Sequence, residues 1–137
     1  MPYFNWISDY SVHVDEIDNQ HKELINRVDK LLEACNQGAG KTVLPEILDF
    51  LGNYVVEHFS TEERLMQQYN YPDYSMHKQE HENFIKSYSE LKKYLETNGT
   101  GVLSIVKTNR IVVEWLKNHI LGTDKKLGAY INQKTNE

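Results

Sequence analysis

The chain has 137 residues, 39% of them hydrophobic, and a net charge of −5 at pH 7 when histidine is counted as neutral. This length suits one domain over residues 1–137 with a single packed core. The acidic balance gives no support to nucleic-acid binding, which usually shows a basic patch. No apolar run reaches the ~18 residues of a membrane span. We therefore expect neither a nucleic-acid partner nor a membrane partner.

Cys35 is the single cysteine, which excludes a disulfide within the chain and fits a reducing compartment. Its place in a helical pattern predicts that it is a small buried hydrophobe. The first residues lack the basic and long apolar segments of a signal peptide. Together these features predict a cytoplasmic protein.

The N-terminal segment, up to about residue 17, has no helical pattern. Its apolar residues are expected to fold back over the helices as a lid; they are Trp6, Ile7, Val12 and Val14. The first helix is predicted to start near Asp15 or Asp18, either of which could cap it. Gly38 and Gly40 are predicted to stop it.

Two more helices follow, each with apolar residues at helical spacing. The second is predicted over about residues 42–69, with Thr42 as its N-cap and Pro45 in its first turn, where a missing N–H costs little. The third is predicted to run from near Asp73 to about Thr97 and to end at the Asn-Gly pair that follows.

A fourth helix is predicted over about residues 101–121, with Gly122 as its end. Residues 125–131 are predicted to form a short amphipathic helical tail. Four helices with short connections predict an all-α, up-down-up-down four-helix bundle. Its core would cover about residues 15–122.

Five of the six histidines, one glutamate and one aspartate form a pattern of potential metal ligands. The pattern consists of His21, His58-x3-Glu62, His77-x3-His81 and His119-x4-Asp124. An i,i+4 spacing places both side chains on one face of a helix. Burying this many polar side chains would be costly without a cation. Seven ligands exceed the needs of one metal, so the pattern predicts a two-metal site inside the bundle. The sixth histidine, His13, matches no helical face and is predicted to lie at the surface.

Asp124 needs a local change of structure to join this site. On a regular α-helix it would lie about 140° around the axis from His119. The two could then reach the same metal only if the helix ended between them. Gly122-Thr123 is predicted to provide that ending.

The donor set favours iron. Imidazoles with carboxylates suit first-row transition metals rather than Ca²⁺ or Mg²⁺. The imidazoles, two bridging carboxylates and one bridging oxygen would fill all but one position of two octahedral ions. The position left over could take one small ligand. The Glu-x-x-His motif of ferritin-like proteins and the His-Glu-x-x-His motif of zinc proteases are both absent.

The chain resembles the hemerythrin family, and within it the single-domain bacteriohemerythrins, over about residues 12–130. The resemblance is carried by the segment 14–24, His58-Phe59-x-x-Glu62-Glu63, Tyr71-Pro72 ahead of His77 and His81, and Trp115-Leu116-x-x-His119-Ile120-x3-Asp124.

This resemblance implies two iron ions joined by a bridging oxo or hydroxo group. One iron would be held by His77, His81 and His119. The other, which keeps an open position, would be held by His21 and His58. The carboxylates that bridge both would be those of Glu62 and Asp124. An apolar O₂ pocket would be formed by Leu24, Phe59, Trp115, Leu116 and Ile120.

The function that the resemblance implies is reversible O₂ binding by an oxygen carrier, store or delivery protein. The sequence shows no base or nucleophile beyond the ligands, so we expect no enzyme. Three alternatives remain: a sensor of O₂, redox state or nitric oxide at the same site, a di-iron peroxidase or ferroxidase that uses the same irons, and an iron store, which would hold more than two irons per chain. O₂ is the expected partner, and the sequence does not identify a protein partner.

Overall fold

The computed structural model describes residues 3–38 and 44–136, in which helices dominate and no β-strand forms. A 3-10 turn, Ser8–Tyr10, precedes the first helix, α1, which spans Asp15–Asn36. Helix α2 spans Leu44–Gln68 and helix α3 spans Tyr74–Asn98. These three helices and the helical run that follows confirm the all-α class. The predictions for Gly40 and Thr42 lie outside the described residues.

The fourth helix is one continuous run that alternates between α and π geometry. Its α-helical parts are α4 (Val102–Thr108), α5 (Trp115–Asn118) and α6 (Lys125–Thr135). The π-helical stretches Asn109–Glu114 and His119–Asp124 join them, and the backbone is right-handed helical at every junction. The predicted tail is therefore helical, but it continues the fourth helix instead of following a break.

Glycine ends two helices, as predicted. Gly38 follows α1 with φ 69°, and Gly99 follows α3 with φ 71°, a left-handed conformation that glycine adopts at little cost. Gly122 behaves differently, because it lies inside the second π stretch and has no positive φ. The prediction that Gly122 ends the fourth helix is therefore wrong.

The acidic residues at the start of α1 do not cap it. The helix starts at Asp15, and the residue before it, Val14, makes no side-chain cap. The carboxylate of Asp18 instead accepts hydrogen bonds from the Val12 backbone N–H at 2.8 Å and from the Ser11 hydroxyl at 2.6 Å. Asp18 therefore ties the N-terminal segment to the bundle.

The N-terminal segment packs on the helices, with one exception to the prediction. Val12 is buried, and Trp6 and Val14 are partly buried against the core. Ile7 is 44% exposed, so its predicted packing is wrong. The segment packs tightly on α6 at Gly128, where an added Cβ would clash with the carbonyl oxygen of Val12.

Cys35 and His13, which were predicted to lie outside the metal site, are found as predicted. Cys35 is buried, and burial raises the pKa of its thiol. His13 is exposed in the N-terminal segment. None of the described helices combines the length and apolar character needed to cross a bilayer.

The core consists of two apolar clusters with the polar site between them along the helices. On α1, Ile17 belongs to one cluster and Leu24 to the other, and His21 lies between the two. On α2, Phe59 and Leu65 belong to different clusters, with Glu62 between them. Because apolar layers cover it from both ends, the polar site is shielded from water.

Candidate metal centre

The seven predicted ligand side chains meet in the bundle interior, where each is at most 3% exposed. They form two groups, and within each group the potential ligand atoms lie within 4.8 Å of one another. The first group is Glu62, His77, His81, His119 and Asp124, and the second is His21, His58, Glu62 and Asp124. Each imidazole belongs to one group, whereas both carboxylates belong to both.

Each carboxylate directs one oxygen to each group. Oε1 of Glu62 lies 3.2 Å from Nε2 of His77, and Oε2 lies 3.4 Å from Nε2 of His58. Oδ1 of Asp124 lies 3.1 Å from Nε2 of His77, and Oδ2 lies 3.0 Å from Nε2 of His21. This orientation suits carboxylates that serve two cations at once.

Several of these atoms are close together without being hydrogen-bonded. Nε2 of His21 and Oδ2 of Asp124, for example, are 3.0 Å apart, yet neither has a hydrogen-bond partner, and the same holds for Nε2 of His58 and Oε2 of Glu62. Buried polar atoms without partners are costly. Cations between them would remove that cost, so the residues fit a metal centre.

The charges of the cluster favour positive ions. Burial alone would lower the pKa of His21, but Asp124 and Glu62 outweigh it and raise this pKa to about 9. The same balance raises the pKa of His77 to about 9. For His58, burial dominates and lowers the pKa. Burial would raise the pKa of both carboxyls, but the imidazoles around them hold it low. The carboxylates therefore attract either protons or metal cations to this point.

The second π stretch brings Asp124 to the centre. A π-helix forms i→i+5 hydrogen bonds, so residues five apart lie about one turn apart on the same side. Nε2 of His119 and Oδ1 of Asp124 are accordingly 3.1 Å apart. The predicted break assumed α geometry throughout. The local change from α to π geometry brings Asp124 to the same side as His119 without ending the helix.

Aromatic rings cover the apolar side of the centre. The ring of Phe59 stacks on His81 with 3.8 Å between centroids, and Trp115 stacks on His119 at 4.4 Å. The other residues predicted for the O₂ pocket are buried in the same apolar cluster as Phe59; they are Leu24, Leu116 and Ile120. Their role as a pocket stays a prediction.

Comparison with known proteins agrees with this geometry. The sequence profile of the hemerythrin HHE cation binding domain matches residues 12–131. The chain belongs to the hemerythrin family. The bacteriohemerythrin of Methylococcus capsulatus is 33% identical over 96% of this chain and 99% of its own length. The hemerythrin-like protein of Naegleria gruberi is 36% identical over 90% of this chain and 89% of its own length.

A solved structure extends the likeness to three dimensions. The crystal structure of a wild-type hemerythrin matches with a TM-score of 0.82 and 32% sequence identity, over 94% of this chain and 98% of the other. The family resemblance and the four-helix-bundle fold predicted from the sequence are thereby confirmed.

The chain also has hydrogen bonds on the outer side of three imidazoles, which the sequence pattern did not predict. In each, Nδ1 faces a side-chain oxygen: His58 faces Gln20 at 2.7 Å, His81 faces Glu63 at 3.0 Å, and His119 faces Glu80 at 2.9 Å. When Nδ1 donates, Nε2 keeps its lone pair for the interior.

The outer partners follow a regular pattern around the bundle. Each is the sequence neighbour of a cluster residue on one helix but bonds an imidazole on the next helix; Gln20 precedes His21, Glu63 follows Glu62, and Glu80 precedes His81. That adjacency was the available signal. It could not be read without the register between helices, which sequence spacing does not supply.

Proposed function

We propose that this protein binds O₂ reversibly at a non-heme di-iron centre, as an oxygen carrier, store or delivery protein. The observation that carries the proposal is the division of the imidazoles into a group of three and a group of two, with two carboxylates shared between the groups. When bound, a di-iron pair supplies the two electrons that O₂ takes up on binding and returns on release.

The ligand roles follow from the two groups. We assign one iron to His77, His81 and His119. We assign the other to His21 and His58. Glu62 and Asp124 would hold both irons, together with an oxo or hydroxo group. Because the two-histidine group has one imidazole fewer, its iron would be the one able to accept O₂.

The surroundings favour reversible binding over turnover. Phe59 is buried and stacks on His81, and its ring centroid also lies 6.0 Å from that of His58, so apolar surface borders the two-histidine group as well as the three-histidine group. Such surface excludes the water that would carry protons to bound O₂. The polar groups at the centre are used as ligands or as their hydrogen-bond partners, and we assign no catalytic residue. A cytoplasmic location remains our expectation.

The test is an absorption spectrum of anaerobically reduced, iron-loaded protein with iron counted per chain. The proposal predicts two irons, a colourless reduced form, and a visible band that appears in air and disappears when O₂ is removed, over repeated cycles. An irreversible change to a ferric form would overturn the carrier role and favour sensing or redox catalysis.

Two histidine variants make this test specific. His58→Ala should abolish the reversible band, because it removes one of only two imidazoles from the O₂-binding iron. His13→Ala, at the exposed histidine, should leave the band unchanged. Equal spectra for both variants would contradict the assignment of His58.

A further inference from the structure

The side chains that bond the outer nitrogens of the imidazoles differ in charge between the two groups. We propose that Gln20 is a positioning residue that holds His58 with its proton on Nδ1 and, because it is neutral, keeps the two-histidine iron at a higher reduction potential than a carboxylate partner would. This inference rests on the proposed di-iron centre. It gives a second reason why the two irons would differ in reduction potential, besides their different numbers of ligands.

Carboxylates bond the outer nitrogens of two of the three imidazoles in the three-histidine group, whereas Nδ1 of His77 has no hydrogen-bond partner among the described residues. The Nδ1–H of His81 donates to Glu63 at 3.0 Å, and that of His119 donates to Glu80 at 2.9 Å. The Thr123 hydroxyl also donates to Glu80 at 2.9 Å and fixes its orientation. A carboxylate that accepts from Nδ1–H increases the electron donation of the imidazole to a metal. These carboxylates would therefore favour the more oxidised form of an iron bound in this group.

Among the described residues, no carboxylate bonds an outer nitrogen of the two-histidine group. His58 faces the amide oxygen of Gln20 at 2.7 Å. Nδ1 of His21 has no hydrogen-bond partner among the described residues. Both imidazoles therefore donate less electron density than those bonded to Glu63 and Glu80.

The direction of the Gln20 amide is set by a chain of hydrogen bonds. The Thr61 hydroxyl donates to the backbone carbonyl of Glu57 at 3.2 Å, so its oxygen accepts from the Gln20 NH₂ at 3.0 Å. The amide oxygen then faces His58, which must donate through Nδ1. In this form Nε2 of His58 keeps its lone pair for the interior. Gln20 also connects α1 to α2 at the level of the site.

A higher potential at the O₂-binding iron has a functional consequence. Loss of an electron from the reduced centre without O₂ binding becomes less favourable, so the centre resists autoxidation. Gln20→Glu would give His58 the same kind of partner that His81 and His119 have. The reciprocal change, Glu63→Gln, would give His81 a neutral partner.

The experiment compares iron-loaded, full-length wild type, Gln20→Glu and Glu63→Gln. Midpoint potentials are measured by anaerobic spectroelectrochemistry, and Mössbauer spectra of the diferrous forms report each iron separately. We expect a negative shift of potential and about tenfold faster autoxidation for Gln20→Glu, because changing such an outer partner typically alters metal affinity or activity by about 10- to 100-fold. Glu63→Gln should shift the potential positively, and the two variants should alter different Mössbauer doublets.

Asn19→Asp is the matched control, because it adds the same charge one residue away on the exposed side of α1. It should leave both the potential and the spectra unchanged. An unchanged or positive shift in Gln20→Glu that still holds two irons would overturn the inference, as would an equal shift in Asn19→Asp. If Gln20→Glu loses iron, an unchanged potential in Glu63→Gln overturns it. Potentials and doublets do not require reversible O₂ binding, so failure of the proposed function remains distinguishable.

Discussion

Glu62 and Asp124 are the residues that join two groups of imidazoles into one centre, since no imidazole belongs to both groups. Their carboxyls stay ionised at complete burial because the surrounding imidazoles hold their pKa values low. A buried carboxylate without a positive partner would be strongly destabilising. The buried cluster of imidazoles and carboxylates is therefore stable only when protons or metal cations are present.

Tyr88 gives a prediction at the residue scale that is independent of metal. Its buried hydroxyl donates to the Leu48 carbonyl at 2.7 Å, and burial, followed by the charges of Asp49 and Glu96, raises its pKa. Because the unfolded chain loses this proton near pH 10 and the folded chain does not, the free energy of unfolding should fall by about 1.4 kcal/mol per pH unit above pH 10.

Tyr88→Phe tests this by denaturant unfolding of metal-free protein at pH 7 and at pH 10 to 11. The variant should be less stable by about 1 kcal/mol at pH 7, from the lost hydrogen bond, and its alkaline loss of stability should be smaller than in wild type. Tyr3→Phe is the control, because Tyr3 is 51% exposed. An alkaline slope that Tyr88→Phe leaves intact would show that other groups cause it.

The site residues that could be predicted from the sequence follow a spacing within one helix, whereas those that could not depend on contacts between two helices. His58 and Glu62, like His77 and His81, share a helix face at a spacing visible in the chain. The bond from His58 to Gln20 joins residues on different helices, so it depends on the register between α1 and α2. No pattern within one helix contains that register.

At the scale of elements, the fourth helix holds the main departure from expectation. The C-terminal ends of α1 and α3 agree closely with the sequence patterns because a glycine follows each helix, Gly38 after α1 and Gly99 after α3. For Gly122, the same residue type predicted an ending that does not occur. A π stretch keeps its backbone hydrogen bonds, so apolar periodicity and glycine content alone do not reveal it.

Replacing Gly122 by alanine tests the continuous helix. Its φ is not positive, and an added Cβ would meet nothing within 4 Å. Gly122→Ala should therefore raise the free energy of unfolding by about 0.5–1 kcal/mol, because alanine favours helices and restricts the unfolded chain. Denaturant unfolding measures the change.

Gly99→Ala is the matched control for this prediction. Gly99 also has open space around its Cα, but its φ is 71°. Alanine there should lower stability by about 1 kcal/mol, since a side chain is strained in the left-handed region. If Gly122→Ala is destabilising to the same degree, then the helix ends at Gly122 and the π stretch is wrong.

At the scale of the whole molecule, the polar centre divides the core into two apolar clusters. The bundle therefore contains buried charge on all four helices at one level. Bound metal should hold the helices together, because ligands from all four would share the same ions. Folding and metal binding are thus coupled.

Metal removal should measure that coupling. With free metal at a thousand times its Kd, binding stabilises the folded state by about 4 kcal/mol, which is on the order of 10 °C in thermal midpoint for a chain of this size. Thermal unfolding followed by circular dichroism, with and without a chelator, should show this loss. His13→Ala should lose as much as wild type, and Glu62→Ala much less. Equal midpoints for metal-loaded and chelated wild type would show that the centre does not hold the bundle together.

The most direct test of the account is the anomalous scattering of a crystal of the iron-loaded protein, measured at the iron absorption edge. We expect two peaks per chain. One peak should lie beside His77, His81 and His119, and the other beside His21 and His58. The carboxylates of Glu62 and Asp124 should contact both. A single peak, or two peaks that do not share these carboxylates, would contradict it.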